Sequence, residues 1–380
     1  MEPLVLTDGW TLESIESAMQ RIVTSAGAPL QLNRSFVGRR KGALHDAARL
    51  QLLVTWARLA QERQLHYHSA NQQQTVLEEL CDYAPGITAL RLCDGVVIGE
   101  KLIQRRDALE PTTDKMASTD GVIWRDIIKG RTIDFTCVSG AKVQYLRPLF
   151  TARNKDAVKR KEGMFLMLSS LSEFIAKDDA NNIPQPFIRA SAVFASELLK
   201  NTQEHATSDY RNKPYLEHAE GLIVSWAQMD EASYREDFEG HPLLGEFWER
   251  ERVPVRSGGE MALRCLQLSF FDTGPGFASR ATGKLVSELS LEEERIALLD
   301  CLQKNASTKR KAGSGNGLPD VLEELRKIGG MIRIRSGRLS LFNAFSQNDV
   351  RDPFAFEDWS EKQLAAAAGA VVSLLIPLRR

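Results

Sequence analysis

The sequence ELLKNTQEHA, residues 197–206, decides the fold prediction because its polar side chains follow a helical spacing. Glu197, Asn201 and His205 recur every four residues, so they would share one face of a helix. The amide oxygen of Asn201 suits Mg²⁺, a hard cation that takes few protein ligands and keeps several waters. The carboxylate of Glu197 suits a base that orients or deprotonates water. Taken alone, the segment fits an exposed polar stripe on a surface helix better.

A second segment, DTGPGF at residues 272–277, directly follows an apolar run at 266–271. Gly274 and Gly276 allow the backbone to approach a flat ligand closely. Asp272, at the end of a strand and held by a tight turn, can accept a hydrogen bond from an exocyclic amine. The alternative is an ordinary β-turn, in which Asp-x-Gly is common.

A third segment, GSGNGL at residues 313–318, precedes a run that predicts a helix over 318–328. Glycines before a helix N-terminus expose backbone N–H groups to an anion, and the helix dipole adds to the attraction. The segment lacks the Gly-Lys-Ser/Thr of a Walker A loop and the strand–GxGxxG–helix context of a dinucleotide-binding turn. A flexible loop without a ligand is the alternative.

In this order, the three segments resemble the N, G1 and G2 boxes of the GHKL superfamily, which contains DNA gyrase B, heat-shock chaperones, sensor histidine kinases and MutL proteins. The resemblance covers about residues 164–378 and includes Gly-Gly-x-Ile at 329–332. It implies a Bergerat-type ATP-binding fold over 160–380, an α+β two-layer sandwich within the α/β class. It also implies ATP and Mg²⁺ as cofactors.

The resemblance implies a role for each matching residue. Asp272 would accept a hydrogen bond from the adenine amine. Asn201 would bind Mg²⁺, and Glu197 would be the general base for hydrolysis. Gly274 and Gly276 would shape the adenine pocket.

Residues 278–312 would form a mobile lid beside the phosphates. Its cationic side chains would neutralise phosphate charge, or would form only a solvated basic loop. These cations are Lys304, Lys309, Arg310 and Lys311. The third segment would border the phosphates through Gly313, Gly315, Gly317 and Leu318.

Residues 1–155 predict a smaller mixed α/β domain of unassigned role, with a boundary near the basic run at 151–163. Residues 42–63 show an apolar period near 3.6, which predicts an amphipathic helix. The other elements predicted for this domain are a helix at 74–83 and strands at 96–98, 132–138 and 142–146.

Helices and strands alternate over 160–380, which predicts a mixed sheet with helices on one face. The predicted helices are at 164–176, 187–206 and 318–328. The predicted strands are at 221–229, 262–272 and 370–376, with a hairpin at 331–342 around Ser336-Gly337. We interpret the stretches at 230–261 and 343–363 as insertions.

The 380-residue chain has a formal net charge of −1, so it carries no overall field for a nucleic acid. Its basic run at 153–161 is short and lacks interleaved aromatic residues, which also argues against nucleic-acid binding. Five cysteines without a CxxC pair are typical of a reducing compartment. Because the sequence shows no signal-peptide pattern and no apolar run of about 18 residues, we expect a cytoplasmic protein without a membrane span.

These observations favour a Mg²⁺-dependent ATPase whose nucleotide state controls a contact with a protein partner of unknown identity. One alternative is a protein kinase that phosphorylates His or Ser of a partner. Another is a non-catalytic interaction scaffold, against which the intact Glu197 and Asn201 argue. His45 is a candidate phosphoacceptor, although a structural histidine fits its surroundings better. A homodimer is compatible with the sequence.

Overall fold

The computed structural model describes residues 2–6, 11–25, 27–33, 36, 40–68, 73–255, 259–307 and 317–379, without the side chains of 68, 178 and 304–307. Within these residues the chain forms two β-sheets with helices between and around them. This mixture confirms the α/β class of the prediction.

The first sheet is built from the N-terminal part of the chain. Its strands, in spatial as in chain order, are β1 (Leu4–Leu6), β2 (Leu30–Asn33), β3 (Gln64–His68), β4 (Gly95–Ile98) and β5 (Lys101–Gln104). The first three pairings are parallel, and the last is an antiparallel hairpin. Parallel neighbours need crossover connections, which helices supply here. These helices are α1 (Leu12–Thr24), α2 (Ala43–Leu59), α3 (Gln73–Cys81) and α4 (Ala84–Leu92).

The second sheet has eight strands, and every pairing in the described part of the chain is antiparallel. Its strands are β6 (Thr132–Val138), β7 (Ala219–Asp230), β8 (Val253–Pro254), β9 (Met261–Asp272), β10 (Met331–Gly337), β11 (Leu339–Ala344), β12 (Glu357–Asp358) and β13 (Ala367–Pro377). The spatial order is β12-β11-β10-β13-β9-β7-β6, with β8 beside β9. The predicted mixed sheet is therefore wrong, because a helical connection does not by itself impose parallel pairing. The predicted hairpin is confirmed as β10 and β11.

Ten further α-helices follow the first sheet within the described residues. They are α5 (Arg105–Ala108), α6 (Thr112–Asp120), α7 (Trp124–Ile127), α8 (Lys161–Ala176), α9 (Gln185–His205), α10 (Glu231–Asp237), α11 (Pro242–Glu251), α12 (Phe277–Thr282), α13 (Leu291–Ser307) and α14 (Gly317–Ile328). Helices α8, α9 and α14 confirm the three helices predicted for the second half of the chain. They share an apolar core with one face of the second sheet, where Phe194 packs edge-on against Phe270 with ring centroids 5.5 Å apart.

Helix α2 contacts the opposite face of the second sheet and shares an apolar core with the first sheet. The helix predicted at 42–63 is confirmed, but its amphipathic character is wrong, because every residue from 43 to 57 is buried. The second sheet also accepts hydrogen bonds from the backbone amides in the first turn of α2. The Ala43 amide donates to Ser225 Oγ at 2.7 Å, and the Leu44 amide donates to Gln267 Oε1 at 3.0 Å. Helices therefore lie on both faces of the second sheet, and not on one face as predicted.

Three other stretches differ from their predicted interpretation. Residues 142–146 form turns rather than a strand, because no described strand pairs with them. The basic run at 151–163 forms mostly bends and turns before α8 begins. Strand β6 lies on the N-terminal side of the predicted boundary yet belongs to the second sheet, so the division between the sheets does not fall at residue 155.

The two stretches interpreted as insertions carry short elements. Residues 230–261 contain α10, α11 and β8, and residues 343–363 contain β12 at the edge of the second sheet. None of the helices in the described ranges combines the length and apolarity that crossing a membrane requires.

Candidate functional site

The structure brings residues from the first two predicted segments to one cavity. The C-terminal end of α9 lies beside the end of β9, and the cavity between them has a volume of about 330 Å³. Asn201, His205, Asp272 and Gly276 line it. The remaining lining residues are Leu198, Thr202, Ala206, Pro275, Phe277, Arg280, Ala281, Cys301 and Ala370. The pocket therefore combines apolar walls with a few polar groups, which is the usual composition of a small-molecule site.

Asp272 is the last residue of β9, with β7 and β13 on either side. Its Oδ1 accepts a hydrogen bond from the Gly274 amide at 2.8 Å, which orients the carboxylate. Burial raises the pKa of Asp272 to about 6, although the amides of Gly274 and Ala370 and the charge of Arg58 oppose this change. The group is therefore ionised near neutral pH and can accept a hydrogen bond from a ligand.

Glu220 lies directly opposite Asp272 on β7 and is 1% exposed. Its pKa is raised to about 7, because burial and the charge of Asp272 together outweigh the lowering by a hydrogen bond from Gln203 Nε2 at 2.7 Å. Two carboxyls thus share the strand ends behind the cavity. Glu220 was not singled out from the sequence. The available signal was an acidic residue directly before the apolar run GLIVSWA at 221–227.

The two glycines of the DTGPGF turn are required by close packing. A Cβ on Gly274 would lie 2.7 Å from the Cβ of Ala206 and 2.8 Å from its Cα, at the end of α9. Gly276 has a φ of +83°, and a Cβ there would lie 2.7 Å from Ser336 Oγ. Gly276 lines the cavity, whereas Gly274 holds the turn against α9 without lining it.

Glu197 connects α9 to the start of α14. Its Oε2 accepts a hydrogen bond from the Gly317 amide at 2.8 Å, so the carboxylate lies at the positive end of that helix. A Cβ on Gly317 would approach Glu197 Oε2 to 2.5 Å and the Cα of Phe194 to 2.9 Å. Gly317 and Leu318 are both buried, so they seat α14 on α9. Glu197 therefore has a structural partner, and it does not belong to the cavity lining.

Asn201 and His205 differ in their surroundings. The half-buried Asn201 lines the cavity, and its carboxamide makes no hydrogen bond to the part of the chain that the structure describes. His205 is exposed, and its Nδ1 lies 3.4 Å from a guanidinium nitrogen of Arg280, which also donates to Asn212. Arg280 is a cation at the cavity that the sequence did not single out.

The described residues hold no group of three His, Cys, Asp or Glu side chains that could bind a metal ion. A Mg²⁺ ion at this cavity would therefore rely on the Asn201 oxygen, ligand oxygens and water. That donor set fits Mg²⁺, which is commonly held by one or two protein oxygens together with phosphates.

The predicted lid begins with α12 and continues into α13. The buried Glu294 of α13 accepts hydrogen bonds from the amide and Nε of Arg338, each at 2.7 Å, and Arg338 also donates to Leu289 O. The first part of this segment is therefore anchored to the β10–β11 hairpin. Gly313, Gly315, Lys309, Arg310 and Lys311 lie outside the described residues, as does the side chain of Lys304.

The first sheet's helix α2 reaches the DTGPGF turn directly. Arg58 donates to Thr273 O at 2.9 Å and to Glu217 O at 3.0 Å, and its guanidinium carbon lies 3.9 Å from the centroid of the Tyr215 ring. Thr273 is the residue after Asp272, so the N-terminal part of the chain contacts the backbone next to the cavity. This connection was not anticipated from the sequence.

His45 is fully buried within α2, and its Nε2 lies 2.6 Å from Asp237 Oδ2. Asp237 also accepts a hydrogen bond from the Leu12 amide at 2.6 Å. A ring enclosed in this way cannot meet a nucleotide phosphate without local unfolding. The geometry favours the structural interpretation of His45 over a phosphoacceptor.

No protein-family model, curated protein or solved structure matches this chain.

Proposed function

We propose that the chain binds ATP with Mg²⁺ in the cavity between α9 and the DTGPGF turn, as a GHKL-type ATPase. The observation that carries the proposal is the convergence of Asn201, Asp272 and Gly276 on one cavity. Their segments are distant in sequence, and the resemblance had predicted all three as nucleotide contacts. If the motifs matched only by chance, these three residues would have no reason to line the same cavity.

The adenine is assigned to the end of the cavity that Asp272 lines. Its carboxylate, oriented by the Gly274 amide, would accept a hydrogen bond from the exocyclic amine. Leu198 and Phe277 supply apolar surface on which a base can pack. The cavity volume of about 330 Å³ lies at the lower end of the range for small-molecule sites.

The phosphates and the cation are assigned to the side of α9 that carries Asn201. In this proposal Asn201 offers a neutral oxygen to Mg²⁺, and the adjacent Arg280 offers positive charge. Glu197 is the candidate base, one helical turn before Asn201. Its hydrogen bond to the Gly317 amide gives it a second role, because it also holds the start of α14.

The output that we propose is a change in a protein contact driven by the nucleotide state. Two connections support this output. Arg58 joins α2 to the carbonyl of Thr273 beside the cavity, and Glu294 joins the lid segment to Arg338 of the hairpin. A ligand that shifts the turn or the lid would thereby act on both sheets.

Titration calorimetry with Mg-ATP tests the binding site. We expect saturable binding by the wild type and a loss of roughly 10- to 100-fold in affinity for Asp272→Ala, because one charge-assisted hydrogen bond is removed. Asp126→Ala, which changes an exposed aspartate on α7, is the matched control and should bind as the wild type does. Absence of binding, or equal binding by Asp272→Ala, would contradict the proposal.

Incubation with γ-labelled ATP separates the candidate outputs. Released phosphate supports the ATPase, whereas label retained on this chain or on a partner supports the kinase. Binding without either product supports the scaffold. Glu197→Gln keeps an oxygen for the Gly317 amide but removes the base, so it should retain Mg-ATP binding and lose hydrolysis.

A further inference from the structure

A second and larger cavity lies away from the nucleotide site and shares no lining residue with it. It has a volume of about 1060 Å³ and lies between helices α5 and α6 and the turn that follows β6. Its lining holds six cations and three carboxylates. The cations, which define what we name the cationic cleft, are Arg91, Arg105, Arg106, Lys142, Arg147 and Arg153.

The carboxylates near the cleft do not neutralise all of these cations. Arg153 lies 3.0 Å and Arg147 lies 3.9 Å from the same oxygen of Asp120, so one acid serves two guanidinium groups. Arg106 and Lys142 are exposed, and neither forms an ion pair or hydrogen bond with the described part of the chain. The cleft therefore keeps positive charge that a ligand can meet.

Two arginines are held in place by hydrogen bonds and an ion pair around the cleft. Arg91 donates through Nε to Ser139 Oγ at 3.1 Å and through a terminal nitrogen to Leu216 O at 3.0 Å. Arg105 pairs with Glu217 at 3.0 Å. Burial lowers the pKa of Arg91 and the nearby charge of Arg105 lowers it further, whereas the charge of Glu217 raises it. Glu217 offsets part of this repulsion, and an anion in the cleft would offset more of it.

We propose that the cationic cleft binds a small organic ligand that carries a phosphate or pyrophosphate group. Guanidinium groups present paired N–H donors that match phosphate oxygens, and the flexible Lys142 adds a point charge. Leu109 and Met116 supply apolar surface for the organic part of the ligand. The recessed shape and the chain's net charge of −1 favour a small ligand over a polynucleotide, which requires an extended basic field.

Titration calorimetry of the full chain with inorganic pyrophosphate tests the proposal, with citrate as a polycarboxylate of similar charge. We expect saturable binding of pyrophosphate that is tighter than that of citrate. Arg106→Ala combined with Lys142→Ala should weaken pyrophosphate binding by at least about tenfold, since two charge-assisted contacts are lost. Both side chains are exposed and unpaired in the described structure, so the variant should unfold at the wild-type temperature.

The matched control combines Lys101→Ala with Arg125→Ala, which removes two exposed cations outside the cleft. It should bind pyrophosphate as the wild type does. Absence of wild-type binding, equal weakening in both double variants, or tighter binding of citrate would overturn the proposal. Tighter binding of a single-stranded oligonucleotide through the same two cations would also overturn it. Asp272→Ala changes the nucleotide site and not the cleft, so it should bind pyrophosphate as the wild type does, which distinguishes failure of the cleft from failure of the nucleotide site.

Discussion

Gly274→Ala should destabilise the protein through a contact between backbones. The added Cβ would lie 2.7 Å from the Cβ of Ala206, 2.8 Å from its Cα and 3.0 Å from its carbonyl oxygen. No side-chain rotation relieves the last two contacts, so either the DTGPGF turn or the end of α9 must move. Forced insertion of a methyl group into a packed site costs about 1–3 kcal/mol. The free energy of unfolding should fall by about that amount.

The same movement should weaken Mg-ATP binding, because Asp272 and Asn201 lie on the two elements that are pushed apart. Urea unfolding gives the stability change through a lower midpoint at an unchanged slope, and calorimetry gives the affinity. Gly240→Ala is the control, since a Cβ there meets no atom within 4 Å. It should change stability by less than about 0.5 kcal/mol.

A partner substitution tests the cause of the effect. Ala206→Gly removes the Cβ that lies nearest to the new methyl group, so the double variant should recover part of the stability lost by Gly274→Ala. The two changes should therefore be non-additive, as expected for residues in contact. Equal stabilities of Gly274→Ala and Gly240→Ala, or full additivity with Ala206→Gly, would refute the steric explanation.

Three further predictions concern buried ionisable groups. Mg-ATP affinity, followed by calorimetry from pH 8 to 5, should fall below about pH 6, because Asp272 then becomes protonated and loses an acceptor. Asp272 and Glu220 both have raised pKa values, so the folded state binds more protons than the unfolded state. Their contribution to the free energy of unfolding therefore falls as the pH rises through about 6 to 7. Glu220→Gln should therefore increase the unfolding free energy more at pH 8 than at pH 5 in urea titrations; an equal increase at both would argue against a buried carboxylate. His45→Ala should lower the unfolding free energy by about 3–5 kcal/mol in urea, because it leaves Asp237 buried without its partner, and a loss below 1 kcal/mol would contradict this.

Local patterns predicted the elements that carry most of the candidate site. The polar spacing in 197–206 indicated α9, and the apolar run before Asp272 indicated β9, each within a few residues of the observed bounds. Helix α9 follows from periodicity because it buries one face against the sheet, whereas β9 follows from a continuous apolar run because both of its faces are buried. That Asn201 and Asp272 would line one site was predicted from the order of the three segments, and neither segment alone indicated it.

Tertiary partners explain what the sequence did not reveal. The apolar period at 42–63 predicted an amphipathic helix, yet its polar residues His45, Asp46 and Arg49 are buried. Asp46 instead accepts a hydrogen bond from Tyr83 at 2.9 Å, a contact that no helical period encodes. Glu220, Arg58 and Arg280 were missed for a related reason, since none belongs to the three motif segments and each lies at or near the cavity only in the folded chain.

The position of α2 between the sheets affects the order in which the chain can fold during synthesis. This helix leaves the ribosome before its neighbours β9 and β13, which lie far downstream in the sequence. Until then, the nascent chain exposes the apolar surface that later meets Ile223 and Val371. Contacts of such large sequence separation form slowly and leave aggregation-prone intermediates. Fragments that end before β9 should therefore aggregate on expression, even though they contain every strand of the first sheet.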